Sequence, residues 1–348
     1  MEENIFNNRI DLSEVQNSID QVKSEIKKII VGQDAVIDQL ITAFLADGHI
    51  LIEGVPGIAK TLIAKVISKT VSCGFSRIQF TPDLMPSDIL GTSVFNVKQS
   101  EFEFNKGPVF SNIILIDEIN RSPAKTQAAL FEVMEERQIT IDGTTYKMDE
   151  PFIVFATQNP VEHEGTYRLP EAQLDRFLFK VNMDYPNQQE EVKILLDLHG
   201  RKNINDLSVI NPILTKENLK KIRSVVSTVH IDEKVADYIS KIVQQTRKNS
   251  DLYLGASPRA SIAIMTGSKA MAAMTGRDFV LPDDVRQTTY PALRHRILLT
   301  PEKEMEGFNR FHYFGTSTVS IILFIISSGV FPSISFSGVS KILCLSAG

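Results

Sequence analysis

The sequence predicts an α/β fold, a five-stranded parallel sheet core followed by an all-α domain, and three observations carry that expectation. Five short apolar runs, HILIEG (49–54), RIQF (77–80), NIILIDE (112–118), PFIVFAT (151–157) and FLFKVNM (177–183), recur through the first half of the chain. Helix-like segments lie between most of them, and that alternation produces parallel strands covered on both faces. After about Asn187 such runs stop, and residues 216–227, 233–248, 258–274 and 282–295 all read as helices.

In chain order, residues 12–30 place Val15, Ile19, Val22, Ile26 and Ile29 on one helical face. A second helix is predicted from Asp34 to about Leu45, after Val31-Gly32-Gln33. SVFNVKQSEFEF (93–104) alternates apolar and polar residues around a short polar centre and reads as a hairpin. QITIDGTTYKM (138–148) carries Asp142-Gly143 between two β-prone runs, the strongest short-range hairpin signal. On these grounds 1–30 is an N-terminal helical segment, 31–188 the α/β core, 189–300 the helical domain and 301–348 a tail. No acidic residue follows Glu306, and TVSIILFIISSGVFPSISFSGVS is rich in Ser, Ile and Phe. The tail's apolar centre, 319–326, is far short of the ~20 residues of a membrane-spanning helix. An atypical or non-native terminus, a packed strand and a membrane contact are the three readings of it.

The 348 residues, 43% hydrophobic and 23% charged, suit a soluble globular protein with room for two cores. A net charge of −5 and a pI near 5.8 give no electrostatic reason to expect nucleic acid as a partner. Cys73 and Cys344 lack metal or redox spacing, and MEENIFNNRI lacks the regions of a signal peptide. A cytoplasmic protein whose core touches no membrane is therefore expected.

The first apolar run leads into Gly54-Val55-Pro56-Gly57-Ile58-Ala59-Lys60-Thr61, and from Leu62 the chain has helical spacing. Strand, glycine loop and helix in that order form a phosphate cradle, with backbone N–H groups and a helix N-terminus aimed at the anion. Lys60 would reach the β- and γ-phosphates of ATP, and the Thr61 hydroxyl would ligate Mg2+. The usual pattern has glycine before the lysine. Ala59 adds one methyl there, which is tolerable if its φ stays negative. The bland alternative is a Pro-Gly turn before an ordinary surface lysine.

Lys60 is followed 57 residues later by Asp117, at the end of the buried run in NIILIDEINR. Open α/β sheets bind ligands at the C-terminal ends of their strands, and two adjacent acids there repel unless a cation or distinct roles separate them. Asp117 can hold Mg2+, and Glu118 can orient and deprotonate a water. An acid pair at a helix N-terminus is the competing reading. FIVFATQNP ends a further buried run in Thr157, Gln158 and Asn159, and Asn159 can bond both a γ-phosphate and the lytic water. A turn role for Asn-Pro is its alternative.

Taken together, GVPGIAKT, IDEINRSPAKTQAALFEVMEE, TQNPVEHEGTY, LPEAQLDRF and GASPRA resemble the MoxR family of AAA+ ATPases, in the right order from about Val31 to Arg296. That family also has alanine before the lysine. The resemblance implies a P-loop NTPase core with sheet order 5-1-4-3-2, a C-terminal helical lid, and a homo-oligomeric ring, usually a hexamer, with nucleotide between subunits. It adds Val31, Gly32, Gln33 and Leu62 to the nucleotide contacts. It matches Arg176 to the arginine finger of the adjacent subunit's site, with an intrachain pair to Asp175 or Glu171 as the alternative. Arg259 matches the second sensor, in a lid that closes on ATP. Independently, Ser257 can cap and Pro258 can open a helix, so Arg259 falls in a first turn, where a cation wants an anion nearby.

The resemblance further implies that the two hairpins face the pore or partners. Asn120 and Arg121 resemble interface residues without a catalytic role, and Arg168 stands where the family more often has a small residue or proline. A chaperone-like role on partner complexes, often with von Willebrand A domain proteins, is implied as well. The rivals are a motor or activator acting on nucleic-acid-bound substrates, which the acidic balance disfavours, and a switch that scarcely hydrolyses ATP.

Overall fold

The computed structural model describes residues 11–55, 57–98, 100–159, 169–200 and 207–306. Pro56, Arg168 and the apolar tail lie outside them. In chain order, α1 (Ser13–Lys27) and α2 (Asp34–Leu45) precede β1 (His49–Gly54), and α3 (Lys60–Thr70) leads to β2 (Phe75–Gln79). A short α4 (Pro86–Leu90) and the hairpin of β3 (Gly91–Asn96) and β4 (Glu101–Lys106) come before β5 (Ile113–Asp117). Helix α5 (Ala124–Glu136) runs to the hairpin of β6 (Gln138–Ile141) and β7 (Thr144–Lys147), then β8 (Ile153–Gln158), α6 (Glu171–Leu174) and β9 (Phe177–Met183). The rest holds α7 (Gln188–Gly200), α8 (Lys216–Thr228), α9 (Glu233–Lys248), β10 (Leu252–Leu254), α10 (Pro258–Met274), α11 (Pro282–Leu293), β11 (Leu298–Leu299) and α12 (Pro301–Met305).

The five apolar runs form one parallel sheet in the order β2-β5-β8-β1-β9, which is the implied 5-1-4-3-2 read from the other edge. Because side chains alternate across a strand, the sheet feeds two apolar layers. Ile50, Ile52, Leu115 and Phe155 face one layer with α1, α2 and α3; Leu51, Ile114, Ile116 and Val154 face the other with α5. Helix α1 buries the predicted face through Val15, Ile19, Val22 and Ile26. Both hairpins form, and Asp142 and Gly143 take φ of 51° and 77°, the positive pair that a tight two-residue turn demands. Phe104, Phe110 and Tyr146 pack ring to ring beneath them.

The helical half shares the first layer, since Ile222, Ile239, Ile264 and Leu293 belong to the same continuous core as Ile50 and Phe155. Gly267 allows the approach of α10 to the sheet: a Cβ there would sit 2.7 Å from the Phe179 ring. One short antiparallel pair, β10 with β11, adds to the helices; runs of three and two residues carry too little periodicity to be seen in the sequence. Among the described residues no helix is long and apolar enough to cross a membrane.

Two buried histidines pin the layers. His49 accepts the Val154 N–H at Nδ1 (3.0 Å), and its Nε2 donates to the Met134 carbonyl (3.1 Å). His295 Nε2 donates to the Phe177 carbonyl at 2.9 Å. Burial lowers the pKa of His49 to about 4 and pushes that of His295 well below its ordinary range. The unfolded chain therefore takes up protons near pH 6.5 that the folded chain refuses, and stability falls as pH drops through that range. Going from pH 6.5 to 5.5 should cost about 1 kcal/mol for each histidine. Urea midpoints at pH 7.5, 6.5 and 5.5 check this; midpoints that do not fall below pH 6.5 would contradict it.

Candidate nucleotide-binding site

In a parallel sheet all strands end on the same side, so their register places the motifs. Ile52 lies level with Thr157, Glu53 level with Gln158 and Asn182, and Gln79 level with Asp117. The glycine loop after β1, the acids after β5 and Asn159 after β8 thus share one edge of the sheet. Lys60 opens α3, and its ammonium donates back to the Gly54 carbonyl at the mouth of the loop. Burial lowers its pKa, while the Asp117, Glu118 and Glu53 carboxylates oppose that shift.

Ala59 departs from expectation. Its φ is +65°, in the left-handed region, next to Gly57 at +89°. An L-residue there costs roughly 1–2 kcal/mol, a cost that the single methyl of alanine does not enlarge as a branched side chain would. Glu118 has the same backbone twist, with φ 57° and ψ 55°. Two of the eight positive-φ non-glycine residues among those described stand in the loop and beside the acid, where strain is commonly stored at functional sites.

Asp117 is buried and densely contacted. Thr157 Oγ1 donates to its Oδ1 (3.3 Å), Arg77 Nε to its Oδ2 (2.6 Å), and Thr61 Oγ1 lies 3.5 Å from Oδ2. The Thr157 hydroxyl also accepts the Glu118 N–H at 2.9 Å, which locks the twisted turn onto β8. The Glu118 carboxylate is held to one side, accepting from Gln79 Nε2 (3.0 Å) and Arg121 Nη1 (2.9 Å). Thr61 and Asp117 together offer the hard oxygen donors that Mg2+ prefers, and that ion habitually completes its shell with waters and phosphate oxygens. The donor set therefore fits it.

Beside the loop lies a cleft of ≈ 380 Å3 between the core and the helical half, lined by Gln33, Val36, Gln39, Asn182, Tyr290 and Arg294. Gly32 and Gln33 both have positive φ, and Gln33 Nε2 donates to the Asp184 carbonyl at 2.8 Å. Val31 is buried beneath them. The Asn182 side-chain oxygen is buried without a hydrogen-bond partner among the described residues. The Arg294 guanidinium stacks 4.7 Å over the Tyr290 ring, whose phenol burial pushes up to about 12.

Arg176 and Arg259 are elsewhere. Phe177 pairs with His49 at the start of β1, so Arg176 stands at the opposite end of the sheet from Gly54. Ser257 caps α10, its Oγ accepting the Arg259 N–H at 3.1 Å, as the sequence suggested. The Arg259 side chain then reaches Glu135, the same carboxylate that Arg176 meets. The intrachain partner of Arg176 is thus Glu135, while Asp175 is taken by Arg296 and Ser257.

Several contacts were invisible in the sequence: Arg77 and Gln79 on β2, Arg121 as a tie on Glu118, Glu135, and the cleft residues of α11. The one available signal was the polar alternation of Arg77 and Gln79 within an otherwise apolar run.

Residues 49–179 match the model of the ATPase family associated with various cellular activities (AAA), and 244–310 match the AAA lid domain. The chain is 43% identical over 297 residues to the chaperone MoxR1 of Mycobacterium tuberculosis, covering 82% of this chain and 76% of that one. It is 45% identical over 282 residues to the uncharacterised protein YeaC of Bacillus subtilis, covering 81% and 87% respectively. A crystal structure of an ATPase candidate from Cytophaga hutchinsonii superposes with a TM-score of 0.81 at 44% identity, over 88% of this chain and 94% of that one.

Proposed function

Because the chain belongs to the MoxR family of AAA+ ATPases, we propose that it binds Mg2+–ATP at the C-terminal edge of its sheet and hydrolyses it in a ring whose neighbouring subunit completes each site. One observation carries this reading. Lys60, Thr61, Asp117, Glu118 and Asn159 gather at one end of the sheet, whereas Arg176 and Arg259 gather at the other. Neither arginine can serve the pocket of its own chain from there. A head-to-tail contact would bring them to the pocket of the next copy, and such contacts close into rings. A lid that closes Arg259 onto the ATP of its own chain does not fit this placement.

In this reading the loop N–H groups and Lys60 hold the triphosphate, and the adenine base enters the cleft of Gln33, Asn182 and Tyr290. The unpartnered Asn182 oxygen suits the exocyclic amine of the base. Thr61 and Asp117 would hold Mg2+, which when bound neutralises charge between the β- and γ-phosphates. Glu118 leaves Gln79 and Arg121, orients a water held also by Asn159, and takes its proton as the water oxygen bonds to γ-phosphorus. The bond from γ-phosphorus to the bridging oxygen breaks, and ADP and phosphate leave. Arg176 and Arg259 from the neighbour offset the charge on the γ-oxygens.

Mixing separates a shared site from a self-contained one. Lys60→Ala and Arg176→Ala chains should each be nearly inactive. Their equal mixture should regain turnover at about a quarter of the sites of a randomly filled ring, where an intact pocket meets an intact arginine. No recovery from chains that fold and assemble would defeat the reading. A chaperone-like action on partner complexes, von Willebrand A domain proteins among them, extends it. Capture of partners with an ATP-locked Glu118→Gln chain is the check, and recovery of no such protein counts against that extension.

A further inference from the structure

We propose that Glu135 is a positioning residue that gathers Arg176 and Arg259 so that both guanidiniums meet the neighbouring subunit's γ-phosphate as one preset unit. The inference rests on the shared-site reading. Glu135 sits in the last turn of α5, and its two carboxylate oxygens serve different arginines. Oε1 accepts from Arg259 Nη2 at 2.7 Å, and Oε2 lies 3.2 Å from Arg176 Nε, an ion contact that is not aligned as a hydrogen bond. One arginine comes from the core just before β9 and the other from the first turn of α10. The carboxylate is therefore the point at which the cations of the two halves of the chain meet.

Two guanidiniums brought this close repel each other and would splay apart. A single carboxylate between them offsets that repulsion and leaves one net positive charge to greet a phosphate. It also leaves donors available. Arg176 Nη1 donates to the Ala172 carbonyl at 3.3 Å, while Arg176 Nη2 and Arg259 Nη1 and Nε make no hydrogen bond among the described residues.

The backbone on either side of Glu135 is held in place. The carbonyl of Met134 is bound by the buried His49, and Arg137, just past the helix, pairs with Asp47. Asp175, adjacent to Arg176 in sequence, is committed to Arg296 and Ser257, so it does not compete for the two arginines. Small misplacements of such a group cost rate far more than they cost substrate binding.

The test separates donor from acceptor. Lys60→Ala chains can supply only arginines, and Arg176→Ala chains only a pocket. Lys60→Ala chains with the native Glu135 should restore turnover to Arg176→Ala chains, whereas Lys60→Ala/Glu135→Gln chains should restore at least roughly tenfold less. ATP affinity and thermal midpoint of the Glu135→Gln single variant should stay at wild-type values, while its kcat falls; a merely structural role would move the first two. Equal rescue by both donors overturns the role of Glu135 and leaves the shared site standing. No rescue by either donor overturns the shared site, and the inference with it. If Glu135→Gln impairs folding, Glu135→Asp takes its place: it keeps the charge but reaches only one guanidinium, and donation by it at the full wild-type rate overturns the proposal.

Discussion

Replacing Glu118 with glutamine should lower ATP turnover by about 10^2–10^4-fold while ATP stays bound, the span expected when a positioned general base is lost. The substitution is nearly isosteric, so the left-handed turn and the bond from the residue 118 N–H to Thr157 survive it. In the proposed mechanism only the proton acceptor disappears. Removing a negative charge from beside the triphosphate should leave nucleotide affinity unchanged or tighter. Single-turnover hydrolysis and equilibrium binding read the two quantities separately. A variant that keeps turnover within tenfold of wild type would remove Glu118 from the chemistry. Its ties to Gln79 and Arg121 would then be a surface network and nothing more.

The largest loss of stability is expected at Arg296. Its guanidinium is 3% exposed and donates to Asp175 Oδ1 (2.7 Å) and to the carbonyls of Phe177 (2.7 Å), Asp175 (3.0 Å) and Leu178 (3.1 Å). It thereby fastens the end of the helical half to the first residues of β9. Arg296→Met would fill the space but leave a largely buried Asp175 charge and several carbonyls without their donor. Breaking a buried pair in this one-sided way costs about 3–5 kcal/mol, far more than an exposed ion pair is worth. For a chain of this size that is roughly a 4–8 °C drop in melting temperature. A loss below about 1 kcal/mol in chemical denaturation would mean that the apolar packing of α10 and α11 holds the halves together without it.

The fold was legible because its signals are local. A strand buried on both faces reads as a near-continuous apolar run, so β1 could be bounded to the residue from HILIEG, while the edge strand β9 was bounded by FLFKVNM, whose buried positions alternate with half-buried ones. The Asp142-Gly143 turn announces itself by the two residue types that tolerate positive φ. Lys60, Thr61, Asp117 and Glu118 were legible for the same reason, since each sits in a short motif whose flanking strand can be read. What could not be read depends on long-range meeting. Arg77 finds Asp117 across 40 residues and Arg259 finds Glu135 across 124, and no periodicity encodes such a pairing. The backbone of Ala59 could not be read, because alanine by itself prefers negative φ; the surrounding loop imposed the left-handed twist against that preference.

Helix α5 begins six residues after Glu118, beyond a short turn, and its thirteen residues end next to the carboxylate that meets the two arginines. In a head-to-tail ring its two ends attend to different ATP molecules. A shift at Glu118 when one phosphate departs would be relayed as a tilt of the cations facing the other. Firing around the circle would then acquire a direction, clockwise or anticlockwise, set by the chirality of the subunit itself.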